Sequence, residues 1–192
     1  MPENTDPYLY PGTDVLRNLP GIVDETALGE FEAASATARI AKLRRNPVKG
    51  KFDAAHLRAI HKYVFQDVYA WAGEFRSVNI SKGGNLFAAA AFIEPAIAHA
   101  FRNLPTENYL TGADTETFIA RSAYYLSELN AVHPFREGNG RTQREFIRTL
   151  GLHAGRELDW SRVTREEMIE ASRQSFQSGA RPMITVIRSC LV

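Results

Sequence analysis

Residues 133–144 contain most of the side chains in this sequence whose types and spacing could do chemistry together. The segment reads His-Pro-Phe-Arg-Glu-Gly-Asn-Gly-Arg-Thr-Gln-Arg. Its Gly-Asn-Gly turn lets backbone N–H groups approach an anion closely, because glycine has no Cβ to block the approach. A helix that starts at this turn points its unpaired N–H groups and its positive dipole end at the same anion. Gly138, Asn139 and Gly140 are therefore predicted to form a phosphate-binding cradle, in which the Asn139 amide caps the helix and also donates to a phosphate.

Charged and titratable side chains flank this cradle. Arg141 and Arg144 are three residues apart, so on a helix they share one face and can hold two different phosphates of a chain. Glu137 can bind a divalent metal ion that bridges the phosphates. His133, whose ordinary pKa of about 6.5 makes the neutral imidazole available at cytoplasmic pH, can take a proton from an incoming hydroxyl. The segment thus predicts a general base beside a metal–phosphate site.

Apolar residues at helical spacing dominate the rest of the chain, and we predict an all-α fold. Asp24 is the expected N-cap of a helix that ends near Pro47. A second helix is expected to follow Asp53 and to reach Trp71 before Gly73 stops it. No βαβ alternation is present, which disfavours a Rossmann or P-loop architecture.

The same reasoning predicts helices in the second half of the chain and two segments that are not helical. Further helices are expected at about 93–104, after Asp114, at 140–155, after the Thr164–Glu167 capping box, and at 183–192. Residues 75–92 break the helical period around a turn-rich centre and are typical of a β-hairpin. Residues 1–23, which carry four prolines, are expected to form a strap over the core.

Composition sets broad limits on the class of protein. A length of 192 residues, with 44% apolar and 23% charged residues, predicts a single globular domain over residues 1–192. A net charge of +1 provides no global field towards nucleic acid or anionic lipid, and the basic residues in 42–51 are interpreted as a solvated helix end. The single cysteine, Cys190, excludes an intramolecular disulfide and is expected to pack as a small apolar residue. Without a membrane span or signal pattern, we expect a cytoplasmic protein.

The segment 133–144 also matches the pattern HPFx(D/E)GNGRxxR without a departure, and on this motif the chain resembles the Fic proteins. Segments 6–12, 65–73 and 82–94 resemble the small bacterial Fic toxins as well. The resemblance implies the Fic fold, a helical bundle in which the hairpin of residues 75–92 forms a flap over the active site. It also implies a protein adenylyltransferase, which uses ATP and Mg²⁺ to transfer AMP to a Ser, Thr or Tyr hydroxyl of a protein.

The resemblance carries site roles over to matching positions. It implies that His133 is the base that deprotonates the target hydroxyl, that Glu137 is the Mg²⁺ ligand, and that Arg144 reaches the far end of the triphosphate. Lys82 and Gly83 lie on the flap and are expected to contact the nucleotide. The flap edge is expected to receive an extended target segment by β-augmentation.

Regulation and target follow from the resemblance as expectations. Fic proteins are commonly restrained by a helix with the pattern (S/T)xxxE(G/N), whose glutamate pairs with the second motif arginine. The nearest match in this chain is Thr26 with Glu30, but Phe31 follows where Gly or Asn is required. We therefore expect a small separate antitoxin that lies against the N-terminal helices and supplies a glutamate to Arg144. The expected targets are the ATPase subunit of DNA gyrase, which is its B subunit, and the ATPase subunit of topoisomerase IV. Resemblance to host-directed Fic effectors would instead imply small GTPases as targets.

Three other readings stay open. The same cradle could serve transfer of phosphate, UMP or phosphocholine, although the intact Arg144 favours a triphosphate. The domain could be a silent binding module with the hairpin as a peptide dock, which leaves His133 and Arg144 without a purpose. A helical DNA-binding protein that uses the basic residues in 42–51 is disfavoured by the near-neutral net charge.

Overall fold

Helices make up most of the computed structural model, which describes residues 6–82 and 84–192, without the side chain of Asn85. The regular elements in this part of the chain are seven α-helices and one two-stranded antiparallel hairpin, together with three short 3-10 turns. The elements are α1 (Glu25–Arg45), α2 (Ala54–Phe65), β1 (Ser81–Lys82), β2 (Asn85–Leu86), α3 (Ile93–Phe101), α4 (Thr115–Val132), α5 (Asn139–His153), α6 (Arg165–Ser178) and α7 (Arg181–Cys190). The predicted all-α fold with one small hairpin is confirmed.

Local capping sets where four of the helices begin. The side chains of Asp24, Asp53 and Asp114 each accept a hydrogen bond from the backbone N–H three residues further on. Thr164 and Glu167 form the predicted capping box at the start of α6. Each cap satisfies an N–H that the helix leaves without a partner, so these helices start where the sequence predicts.

Two central helices carry the core and flank the loop of interest. Helix α4 packs against α3, α5, α6 and α7, while α5 packs against α2 as well as α4. Their facing side chains Phe118, Leu129, Phe146 and Leu150 are completely buried. The loop at 133–138 therefore joins two elements that the core holds rigidly.

The end of the second helix departs from the prediction. Helix α2 ends at Phe65, whereas the apolar spacing predicted that it would reach Trp71. The backbone N–H groups of Val68 and Tyr69 both donate to the Phe65 carbonyl, so the chain continues as tight turns up to Gly73, whose φ is +88°. Val68 and Tyr69 are nonetheless buried, and this is why their spacing looked helical.

The described part of the predicted strap, residues 6–23, runs along the side of the bundle. Leu9 and Leu16 form an isolated antiparallel bridge, and the Leu19 N–H donates to the Val68 carbonyl at 2.8 Å. Near the C-terminus Cys190 is fully buried, as expected, and burial raises the pKa of its thiol to about 11. In the described residues no helix is long and apolar enough to cross a membrane.

Candidate active site

The loop between α4 and α5 is closed by one side chain. The Asn139 Oδ1 accepts a hydrogen bond from the Phe135 N–H at 2.8 Å, and its Nδ2 donates to the Phe135 carbonyl at 2.7 Å. The predicted role of the Asn139 amide as helix cap is therefore wrong, because the N-cap of α5 is Gly138 and Asn139 is already the first residue of the helix. Its Nδ2 has a second hydrogen, so its donation to a phosphate stays a prediction.

The start of α5 presents free backbone donors. In the part of the chain that the structure describes, the N–H groups of Asn139, Gly140 and Arg141 have no hydrogen-bond acceptor. They stand at the positive end of a fifteen-residue helix. This is the arrangement that binds an anion, and it agrees with the predicted cradle.

The two glycines of the cradle serve different ends. A Cβ on Gly138, whose φ is +79°, would meet the Phe65 ring at 2.3 Å. A Cβ on Gly140 would meet only the Arg144 guanidinium, at 3.4 Å. Gly140 lines the pocket, and its contact with a phosphate stays a prediction. Gly138 is required for packing the motif onto α2, which differs from the reason given by the sequence.

A pocket of about 850 Å³ opens over these donors. Its volume is in the range of small-molecule sites. It is bordered by the motif, the strap, the hairpin, α4 and α6, and its polar lining includes Asp14, Ser81, Lys82, Asn130, His133, Arg136, Glu137, Asn139, Gly140, Gln143, Arg144 and Arg173. The predicted site residues Lys82, His133, Glu137, Asn139, Gly140 and Arg144 are thus brought together; Gly83 lies outside the described residues.

His133 stands at the end of α4 in a left-handed conformation with φ +48°. Its ring stacks on Phe87 of the hairpin at 3.9 Å, and its Nδ1 lies 3.4 Å from the Asn130 carbonyl. Because a carbonyl can only accept, Nδ1 carries the hydrogen and Nε2 is free to accept a proton. Burial lowers the pKa of His133 to about 4, against the hydrogen bond to Asn130, and the charges of Lys82 and Arg76 act in the same direction as burial.

The two motif arginines face different surroundings. Arg144 lines the pocket and forms no ion pair or hydrogen bond with its guanidinium in the described residues. Arg141 donates to Glu32 of α1 and lies over the Phe65 ring at 4.8 Å. The predicted shared face therefore puts only Arg144 into the pocket, and a phosphate contact by Arg141 stays a prediction.

Glu137 offers one carboxylate at the pocket. Its side chain is 46% exposed, accepts the Gly138 N–H at 2.8 Å and lies 3.5 Å from Arg141. No cluster of three or more His, Cys, Asp or Glu side chains that could hold a metal is present in the described residues. A metal here would need ligands from phosphates and water, and Mg²⁺ binds in that way through one or two carboxylates. The donor set therefore fits Mg²⁺ held together with a nucleotide.

His61 is a site residue that the sequence analysis left without a role. It is fully buried, and its Nδ1 accepts the Gly73 N–H at 2.8 Å, so its Nε2 donates to the Glu137 carbonyl at 3.0 Å. Its ring also stacks on Phe135 at 3.8 Å. His61 thereby holds the motif loop from the side of α2. No local sequence pattern could have predicted this contact, because Glu137 is 76 residues away.

Comparison with known proteins gives a consistent picture. Residues 51–150 match the sequence model of the Fic/DOC family. The protein adenylyltransferase VbhT of Bartonella schoenbuchensis is 45% identical over 185 residues, which is 96% of this chain but 39% of VbhT. The probable protein adenylyltransferase y4lH of Sinorhizobium fredii is 40% identical and is covered over 94% of its length. The crystal structure of the effector BepC from Bartonella tribocorum with bound AMPPNP is 30% identical, with a TM-score of 0.91 and 96% of each chain covered.

Alanine substitutions should distinguish the role of Gly138 in packing from the role of Gly140 in ATP binding. Gly138→Ala forces a Cβ into the Phe65 ring and a left-handed φ on alanine, and should lower the free energy of unfolding by about 2–4 kcal/mol. Gly140→Ala should change stability by less than about 0.5 kcal/mol but weaken ATP binding about tenfold, by crowding the free N–H groups. Urea unfolding and calorimetric titration with ATP measure the two effects, and an equal loss of stability in both variants would contradict this assignment.

The His133 imidazole should titrate at low pH. Because its pKa in the folded protein is about 4 and its ordinary value is 6.5, the unfolded chain binds more protons between these values. This contribution to stability is complete above pH 6.5 and is lost as the pH falls, by about 2 kcal/mol at pH 5. NMR of the ring, assigned with a His133→Asn variant, should find it neutral at pH 6; a protonated ring at that pH would rule out a desolvated imidazole.

Proposed function

The chain belongs to the Fic/DOC family, and from that premise we propose that it is a protein adenylyltransferase, which transfers AMP from ATP to a hydroxyl side chain of another protein. VbhT, at 45% identity, is named a protein adenylyltransferase, and y4lH, at 40% identity, is named a probable protein adenylyltransferase. The observation that carries the proposal is the shared pocket. It brings together the Nε2 of His133, the N–H groups at the start of α5 and the guanidinium of Arg144, none of which has a partner in the described part of the chain.

The proposed reaction is a single displacement at the α-phosphorus of ATP. His133 Nε2 accepts the proton of the target hydroxyl while that oxygen forms its bond to phosphorus. The bond between the α-phosphorus and the bridging oxygen breaks, and pyrophosphate leaves with the electron pair. AMP stays on the target as a phosphodiester. The low pKa of His133 in the free protein keeps the imidazole neutral, and therefore able to act as a base, at physiological pH.

The remaining site residues bind and orient the triphosphate. The N–H groups of Asn139 and Gly140 hold phosphate oxygens at the helix N-terminus, and Arg144 holds the far end of the chain. Glu137 would hold Mg²⁺, which neutralises charge on the leaving pyrophosphate. Their contribution is positioning and charge stabilisation rather than covalent chemistry.

The hairpin is the proposed docking edge for the target. Within the described residues β1 and β2 pair with each other and with no third strand. Leu86, opposite Ser81, is 80% exposed, and Lys82 lines the pocket. An extended segment that adds to this edge brings its side chains over His133, because Phe87 follows β2 directly and stacks on the imidazole. Lys82 and Gly83 remain candidate nucleotide contacts from the flap.

A toxin role with inhibition in trans is the second part of the proposal. We propose that a small antitoxin inserts a glutamate against Arg144 and so displaces the triphosphate, and that the targets are ATPase subunits of DNA gyrase or topoisomerase IV. The free guanidinium of Arg144 in the described residues supports this, because Glu32, the buried carboxylate of α1, is already bound to Arg141. A shielded arginine–carboxylate pair is strong enough to compete with a phosphate contact.

His133→Ala should abolish transfer while ATP still binds. Loss of a general base lowers the rate by ~10²–10⁴. The measurement is incubation of a bacterial lysate with ATP labelled at either the α- or the γ-phosphate, and only the α-label should enter a target band. His99→Ala, which changes an exposed histidine of α3, serves as the control. Rapid labelling by His133→Ala would contradict the assignment of His133 as the general base. Entry of the γ-label would indicate transfer of phosphate instead of AMP.

Inhibition in trans should appear on expression in bacteria. The wild-type chain alone should slow growth, His133→Ala should not, and co-expression of a neighbouring small open reading frame should restore growth. Replacing the motif glutamate of that partner with glycine should abolish the rescue, since the ion pair with Arg144 is lost. A wild-type chain that is harmless when expressed alone and inactive in vitro with ATP and Mg²⁺ would contradict the antitoxin model, and an inhibitory segment would then have to be sought within this chain.

A further inference from the structure

Arg76 is a buried cation whose guanidinium, among the described residues, donates to carbonyl oxygens alone. Its side chain is 2% exposed, and in the described residues it forms no salt bridge with a carboxylate. Its Nε donates to the His133 carbonyl at 2.9 Å, and its Nη1 to the Val78 carbonyl at 2.7 Å. Its Nη2 donates to the Ala88 carbonyl and, at 3.2 Å, to the Val132 carbonyl. A single guanidinium thus joins four carbonyls from three segments of the backbone.

These four acceptors belong to two functional parts of the molecule. Val78 and Ala88 are the two legs of the hairpin, before β1 and after β2. Val132 and His133 are the last turn of α4 and the left-handed residue that ends it. The Arg76 N–H adds a fifth bond, to the Pro134 carbonyl at 2.9 Å. Arg76 therefore fixes the legs of the flap to the backbone that carries the imidazole.

An uncompensated buried charge is unfavourable for folding alone. Burial lowers the pKa of Arg76, which reflects the cost of removing the guanidinium from water. Arg148, another buried arginine, shows the usual solution, since it pairs with Glu145 at 2.6 Å. The flap legs also have bonds that do not involve Arg76, from Ala90 N–H to Asn79 at 2.9 Å and from Phe87 N–H to the Ile80 carbonyl at 3.4 Å. These bonds link the two legs of the hairpin without using the guanidinium of Arg76.

We infer that Arg76 is a positioning residue for the transfer reaction, which sets the distance and angle between the target docked on the flap and the imidazole of His133. This inference rests on the proposed function. The rigid fork of a guanidinium suits the task, because it addresses several fixed carbonyls at once whereas an ammonium group acts as a point charge. The stacking of Phe87 on His133 is the side-chain counterpart of this backbone link.

The test is Arg76→Lys, with Arg148→Lys as the matched control. Arg76→Lys keeps the charge but loses the fork, and at saturating ATP the labelling rate should fall ~10–100-fold, the effect of a small misplacement at the reacting atoms. ATP affinity should stay within about twofold, because Arg76 does not reach the cradle on α5. Arg148→Lys should lower stability while its folded fraction keeps the wild-type labelling rate. An equal effect of the two variants per folded molecule would overturn the inference.

A second measurement does not need activity. In the wild-type protein the ring current of Phe87 should shift the NMR signals of the His133 imidazole. Arg76→Lys should reduce this shift, because the distance and angle between the two rings are no longer fixed. Arg76→Gln, which retains an amide donor, replaces it if the lysine variant does not fold. An unchanged ring-current shift in the folded variant would refute the positioning role. If wild type transfers no AMP but the shift is lost, the coupling stands and the proposed function fails.

Discussion

Two hydrogen bonds between the Asn139 amide and the backbone of Phe135 fix the path of the chain between the central helices. They close a tight loop in a buried setting, where an unmet amide or peptide group is costly. The loop turns the end of α4 and the start of α5 towards the same pocket, so one carries the imidazole and the other the free N–H groups. Phe65 and His61 support this loop from α2, through packing on Gly138 and a bond to the Glu137 carbonyl.

The pocket is electrostatically prepared for an anion. Arg144 lies in its wall with no ion-pair partner among the residues that the structure describes. The positive end of α5 faces the pocket, and Lys82 borders it from the hairpin. Arg76 adds a buried positive charge behind His133. Burial makes the charges of Arg76 and Arg144 act more strongly than they would in water, whereas Lys82 is exposed. The carboxylate that could have neutralised this field from α1, Glu32, is bound to Arg141 and Tyr69 instead, and burial next to Glu32 raises the pKa of the Tyr69 hydroxyl.

The sequence predicted the features whose causes are local. Three helices are capped through hydrogen bonds that span three residues, by Asp24, Asp53 and Asp114. The residues of the motif that predict the cradle lie within a few positions of one another. Interactions between distant residues could not be predicted in this way. The bond from Arg76 to His133 spans 57 residues, and that from Arg141 to Glu32 spans 109. The Asn139 amide was predicted to cap α5 because a pattern lists polar groups without telling which of them the loop itself will use.

The left-handed backbone of His133 has a consequence for the choice of residue at this position. A non-glycine residue with φ +48° is strained by roughly 1–2 kcal/mol, and a desolvated imidazole adds to that burden. Glycine adopts this conformation freely, and asparagine does so more readily than most side chains. A protein optimised only to stay folded would therefore not keep a histidine here. At position 133 the stability of the fold therefore favours glycine or asparagine, whereas the proposed proton transfer requires histidine.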